Sequence, residues 1–431
     1  MIKKLIASAR IFKSFESRNY RFYFTGQSIS LIGSWIQSIA MAWLVYRLTG
    51  SKFLLGLIGF TNQIPSFVLS PFTGVLTDRF SRRKMMLWAQ VSFMIHALIM
   101  SALVLTNLVQ IWHIIALSIL FGIISAFDTP ARQALVVDLI DDPKNLNNVI
   151  GLNSAMFNAA RLFGPAIAGI AIALVGEGFC FLFNGFSYLA IIWALIKIKT
   201  TNPGKKATGN SWKIEFIEGF KYTFGLNPIR KLLALLAILS LIGTPFSTIM
   251  PAFAAETLKG GSHTYGFLMS ATGAGALSAA IFLASRQSVI GLGKIIMMNT
   301  IVFGLALFGL SISVHLWFAM GIGFVSGFSM IATIASVNTL IQTLAEENKR
   351  GRVMSFYAMA LMGVNPFGNL IAGSLANSTG LSFTLLLSGI ITALTGIWFT
   401  ISWPRSRKEV YPVLVQKGIL DGNRGIINEK N

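Results

Sequence analysis

The chain has 431 residues, of which 54% are hydrophobic and 12% charged. A soluble globular chain carries about 25% charged residues, so this composition excludes an ordinary water-soluble domain and indicates an integral membrane protein. The formal charge of +20 is spread over short loops rather than gathered with aromatics on a soluble domain, which argues against a nucleic-acid partner.

A lipid-crossing helix takes about 20 mostly apolar residues. Twelve such stretches follow one another, near 22–46, 54–77, 85–106, 111–137, 148–174, 179–196, 232–253, 265–284, 295–313, 317–342, 353–375 and 382–402. Their apolar runs are continuous rather than alternating, which excludes barrel strands, and backbone groups in lipid must be satisfied within helices. The expected fold is therefore an all-α membrane protein, twelve transmembrane helices in two pseudo-symmetric six-helix halves. The first stretch lacks a small-residue cleavage site and follows a polar lead, so it is expected to persist as span 1 rather than leave as a signal peptide.

The expected layout is an N-tail at 1–21, a first half at 22–196, a central loop at 197–231, a second half at 232–403 and a C-tail at 404–431. The central loop holds eight bases and an amphipathic piece from Trp212 to Phe224. On a model with both termini inside, 31 of the 35 bases lie on the cytoplasmic side and three outside, with Arg161 inside a span. That asymmetry predicts cytoplasmic termini and a multi-pass protein of the cell (inner) membrane.

In chain order, span 1 presents Gln27, Ser30, Ser34 and Gln37 at helical steps. The turn after span 2 reads Gly74-Val-Leu-Thr-Asp78-Arg79-Phe-Ser-Arg82-Arg83-Lys84, four bases and one acid that can pair helix ends. His96 sits deep in span 3, where a structural role is expected. Span 4 carries Asp128-Thr-Pro-Ala-Arg132-Gln within an otherwise apolar run and ends at Asp138. Span 5 lines up Ser154, Asn158, Arg161 and Pro165. The second half offers Ser240, Thr244 and Ser247 in span 7, Asn338 and Gln342 in span 10, and Asn365 and Asn369 in span 11. Gly243-Thr244-Pro245 is expected to kink span 7.

Polar stripes in lipid often serve only to hold helices together, but a buried charge costs several kcal/mol and is a functional candidate by default. Asp128 lies about 15 Å and Arg161 about 22 Å from their helix ends at 1.5 Å per residue. Asp128 is thus expected to pair with Arg161 or Arg132, and to change partner with protonation or cargo. A plain structural ion pair accounts for the same residues. Gln27, Ser34, Asn158, Asn338 and Asn365 complete the expected cavity set. The single cysteine, Cys180, excludes an intrachain disulfide, and the four histidines lack ligand spacing, so no metal and no cofactor is expected.

The loop from Gly74 to Lys84 resembles the signature loop of the major facilitator superfamily, G-x-x-x-D-R-x-G-R-R, with Ser81 in place of the second glycine. The resemblance implies that Asp78, Arg82 and Asp138 form a relay, with Gly74, Arg79 and Arg83 in the same turn, that locks the cytoplasmic gate when the carrier faces outward. Ala160-Arg161-Leu-Phe-Gly164-Pro165-Ala-Ile-Ala-Gly169 is similar to the span 5 pattern of antiporter-type members, which makes Gly164, Pro165 and Gly169 kink or packing positions. Asp128 to Gln133, Asn153 to Arg161 and Arg350 to Tyr357 resemble a subgroup similar to the bacterial enterobactin exporter and to macrolide-efflux proteins. From roughly 18 to 405 the resemblance implies a secondary transporter, not an enzyme. It would be a monomer in the lipid bilayer, exporting a siderophore or similar amphipathic small molecule against protons. Multidrug or macrolide efflux, a lysophospholipid flippase, and a non-transporting membrane sensor or scaffold are the other readings.

Overall fold

The computed structural model describes residues 13–140, 145–198, 212–286, 288–347 and 349–417, apart from some side chains near helix ends, Asp78 and Arg79 among them. Helix α1 (Arg18–Thr49) starts where the Ser17 side chain accepts from the Tyr20 amide, and stops at Gly50, whose φ of 61° suits glycine. Helices α2 (Lys52–Arg79), α3 (Arg82–Leu105) and α4 (Ile111–Asp138) follow. The next run, Leu146–Lys197, is two helices, α5 and α6. It folds back at Gly176, where φ is 82° and ψ 169°, a backbone shape that a side chain would strain.

The expected amphipathic piece is helix α7 (Trp212–Gly225). Span 7, α8 (Asn227–Thr257), is irregular as Gly243-Thr244-Pro245 predicts. Wide π turns at Leu239–Gly243 and Phe253–Thr257 flank a tight 3-10 stretch at Thr244–Ile249. Proline cannot donate to the preceding turn, so the hydrogen-bond ladder must be rerouted there. Next come α9 (Ser262–Ala284), α10 (Leu292–Ser311) and α11 (Leu316–Leu344). Span 11, α12, joins Arg350–Ala358 to Asn365–Thr379 through a π turn at Met359–Gly363.

Helix α13 (Leu381–Gln416) outruns the expected end of span 12, passing Pro404 and Pro412. The extension is docked: Val410 and Leu414 are buried, and Lys417 donates to the carbonyls of Thr343 and Ala345 at the end of α11. A cation at a helix C-terminus satisfies orphan carbonyls. Among the described residues, ten helices are long and apolar enough to cross a membrane. One of the ten is the α5–α6 pair, and α12 is broken by its π turn, so the helices accommodate the twelve expected spans.

In the first half α1 packs on α5 and α6, α2 on α4, and α3 on α6; in the second, α9 packs on α11 and α10 on α13. Small residues set these approaches. A Cβ added to Gly26, for instance, would lie 2.8 Å from the Ala190 carbonyl oxygen. The halves meet along α2–α12 and α5–α9.

Two faces differ. The basic face carries the Arg82–Lys84 turn, α7 and the α11–α12 connection. On the opposite face, glycines bring the halves together: a Cβ on Gly56 would lie 2.5 Å from the Asn369 carbonyl oxygen, and one on Gly169 would lie 3.0 Å from Gly266 Cα. Polar links lie on the same side. Glu256 accepts from Tyr46 at 2.8 Å and pairs with Lys52 at 2.9 Å, and Ser262 donates to the Gly169 carbonyl at 3.1 Å. On the basic face, the described ion pairs Arg82–Asp138 and Lys349–Glu346 stay within one half, and Arg352–Glu218 ties α12 to α7.

Candidate functional site

A cavity of about 420 Å³ lies between the halves. Both walls mix polar and apolar groups: the first half supplies Ser34, Gln37, Asn62, Gln63 and Arg161 among Trp35, Ile39 and Leu55, and the second supplies Ser247, Thr248 and Thr272 among Phe246, Tyr265, Met269 and Met330. Gln37 accepts from Asn184 at 2.7 Å, and Ser34 donates to the Ser30 carbonyl at 2.8 Å, so both are anchored from behind. His96 borders the same space while its Nε2 donates to the Leu117 carbonyl at 3.1 Å.

Arg161 is the one lining residue with a formal charge, and it has no acidic partner among the described residues. Its helix explains its position. Pro165, four residues on, has no N–H to return to the Arg161 carbonyl. Gly273 of α9 fills that gap: a Cβ there would lie 2.5 Å from the Arg161 oxygen. Gly164 admits Trp35 of α1, since a Cβ at Gly164 would sit 2.5 Å from the Trp35 Cβ. Gly164, Pro165 and Gly169 therefore form packing surfaces on both sides of α5, and α5 continues through Pro165.

Asp128 lies elsewhere. It is 4% exposed, accepts from Gln90 of α3 at 2.7 Å, and sits 3.6 Å from Arg132 one turn along α4. Of the two expected partners, Arg132 rather than Arg161 is the one beside Asp128, because the two occupy one face of one helix. The Arg132 guanidinium rests 5.0 Å from the Phe157 ring centroid. Tyr23 of α1 is buried in the first half. Buried Tyr23 Oη, Gln90 Oε1 and Asn153 Oδ1 have no hydrogen-bond partner among the described residues. This polar cluster lies wholly within the first half.

Other expected cavity residues fall outside the lining. Gln27 is buried in the first half, and Asn158 donates back to the Ser154 carbonyl at 2.8 Å. Asn338 binds Gln342 one turn on. Asn365 donates to Thr244 at 2.6 Å, and Asn369 accepts from Thr248 at 2.8 Å, so these asparagines tie α12 to α8. Asn62 and Gln63 were not among the expected residues, although an adjacent polar pair in the apolar run of span 2 is visible in the sequence.

At the basic face, Arg82 donates to Asp138 at 2.8 Å. Arg83 donates to the Leu195 and Ile196 carbonyls at 2.6 and 2.9 Å, closing the end of α6. Gly74, Asp78 and Arg79 belong to the last turns of α2, and the Asp78 corner of the expected relay lies outside the described side chains.

A sequence model of the family described as transmembrane secretion effector matches residues 9–410. The chain belongs to that family of major facilitator transporters. It is 25% identical to the staphyloferrin A transporter of Staphylococcus aureus, over 89% of this chain and 96% of the relative. It is 22% identical to the multidrug efflux pump Tap of Mycolicibacterium fortuitum, over 87% and 93% of the two chains, and 22% identical to macrolide efflux protein A of Streptococcus pyogenes, over 86% and 93%. The fold of this transporter is similar to a bacterial homologue of the iron transporter ferroportin in an inward-facing state, with TM-score 0.68 and 16% identity over 89% and 98% of the chains. It is also similar to an inward-facing bacterial homologue of the lysosomal transporter Spinster, with TM-score 0.66 and 14% identity over 91% and 99%.

Proposed function

We propose that this transporter exports an anionic, amphipathic small molecule of the siderophore type by alternating access, driven by proton entry at Asp128. The observation that carries the reading is the unpaired Arg161 in a cavity with no carboxylate among its lining residues. A desolvated cation is costly unless an anion completes it, and the aromatic and Met residues of the opposite wall suit an apolar body. With the basic face in the cytoplasm, as the positive-inside asymmetry supports, the links through Glu256 and the glycine crossings close the outer face. The molecule is then facing inward, ready to load cargo from the cell.

Coupling runs through α5. Protonation of Asp128 removes the charge that holds Arg132, and Arg132 rests on Phe157, one turn from Arg161 on the same helix face. A proton and the cargo thus act on one helix from two places. The similarity to a siderophore transporter supports this cargo class, and the similarity to Tap and macrolide efflux protein A supports a multidrug reading. One experiment separates them: a deletion strain is assayed for extracellular siderophore and for drug susceptibility, with complementation by wild type and Arg161→Gln. Loss of extracellular siderophore that only the wild type restores is expected. Unchanged siderophore with raised susceptibility to cationic or neutral drugs overturns the anionic reading.

A further inference from the structure

We infer that the groove between α1 and α6 at the basic face binds an anionic phospholipid, its phosphate held by Arg18 and Arg21. The groove has a volume of about 570 Å³ and runs between Arg18, Arg21, Thr25 and Ile29 on one wall and Ala190 and Trp193 on the other. It lies outside the cargo cavity and shares no lining residue with it.

Charge comes first. At this face Arg82, Arg352 and Lys349 have carboxylate partners and Arg83 is used by the α6 carbonyls. Lys84, Lys221, Lys294 and Arg350, like Arg18 and Arg21, have no described carboxylate partner, so it is the placing of Arg18 and Arg21 at the rim of the groove that singles them out. Arg18 and Arg21 have no acidic partner among the described residues, and they stand three apart, on one side of the first turn of α1. The Arg18 guanidinium lies 5.4 Å from the Phe22 ring centroid, and Phe22 meets Trp193 edge-on at 5.3 Å. The aromatic pair forms the floor beneath Arg18.

Shape selects a lipid over a soluble phosphate. From Arg21 to Ile29 the groove descends eight residues, about 12 Å at 1.5 Å per residue, from the charged rim into the apolar zone. Trp193 is 53% exposed and Ile29 48% exposed, on the outside of the bundle. An indole at that level suits the membrane interface, and basic grooves between spans on the positive side match anionic headgroups. A phosphate at the rim with an acyl chain along Thr25, Ile29 and Ala190 uses the whole groove, whereas a free phosphate uses only its top.

The test uses the purified full-length chain in detergent and native mass spectrometry with phosphatidylglycerol or phosphatidylcholine. The wild type is expected to keep phosphatidylglycerol in preference to phosphatidylcholine. Arg18→Gln with Arg21→Gln is expected to weaken that binding about 30-fold. Ile29→Trp, which fills the apolar half and leaves both arginines, is expected to weaken it as well. Arg286→Gln with Lys294→Gln removes equal charge from the same face away from the groove and should leave binding as in wild type. An equal loss in that control, equal binding of phosphatidylcholine, or full competition by soluble glycerol phosphate overturns the proposal. None of these readouts depends on which molecule the cavity carries.

Discussion

At Asp128 a carboxylate is held by an amide on α3 and a guanidinium on its own helix, with little water access. Asp128→Asn keeps the shape and the Gln90 contact while removing the charge. The expected outcome is an inserted, monodisperse protein whose export no longer responds to an imposed proton gradient in vesicles. Full gradient-driven transport by that variant would remove Asp128 from coupling. Gln90→Leu is a different perturbation: it strips a buried hydrogen bond from a charged group, a loss of about 1–3 kcal/mol. A lower unfolding temperature in detergent checks it. Arg161→Lys retains the charge but loses the fork that a carboxylate can grip with two bonds. Weaker cargo binding with the same preference for anions is expected, measured by titration of the purified chain.

At the scale of helices, glycine contacts and one acidic residue join the halves on the face opposite the basic loops. Glu256 sits in a π turn of α8 and reaches Tyr46 and Lys52 on the other half. Both it and Lys52 are partly exposed, so the link contributes about 1–2 kcal/mol. Glu256→Gln should shift the molecule towards opening on that face. The native Cys180 is buried, so a cysteine introduced at Ser38 in the cavity reports alone. Its labelling from the outer face is expected to rise about fivefold or more in Glu256→Gln. Gly169→Leu should act more strongly in the same assay, since even a Cβ there lies 2.8 Å from the Ser262 carbonyl oxygen.

For the whole molecule, the charge asymmetry predicts which face lies in the cytoplasm. A fluorescent reporter that matures only in the cytoplasm, fused after Gln416 or before Ser14, is expected to light up in both fusions. Two dark fusions would reverse the assignment of faces and, with it, the inward-facing reading, and one dark with one lit would overturn the even number of spans. The docked end of α13 belongs to this scale too, because Lys417 ties it to the last carbonyls of α11.

Much of this architecture was legible along the chain. Twelve apolar runs, the basic loops and the Gly74–Lys84 turn are local signals, and lipid leaves the backbone few alternatives to helices. Arg161 and Asp128 stood out for a related reason, since charge inside an apolar run is expensive wherever the helix points. Which charges meet was not legible. Depth along a helix axis left Arg161 and Arg132 both open as partners of Asp128, and only packing of α3, α4 and α5 turned the carboxylate to Gln90 and Arg132 and away from the cavity. Asn365 illustrates the same limit: its polarity is in the sequence, but its partner is the neighbouring helix rather than the cavity. Composition and periodicity determine that helices form and how they thread the membrane. Their rotations and mutual approach, set by Gly56, Gly169, Gly266 and Gly273 against distant backbone, decide what lines the cavity and which face is closed.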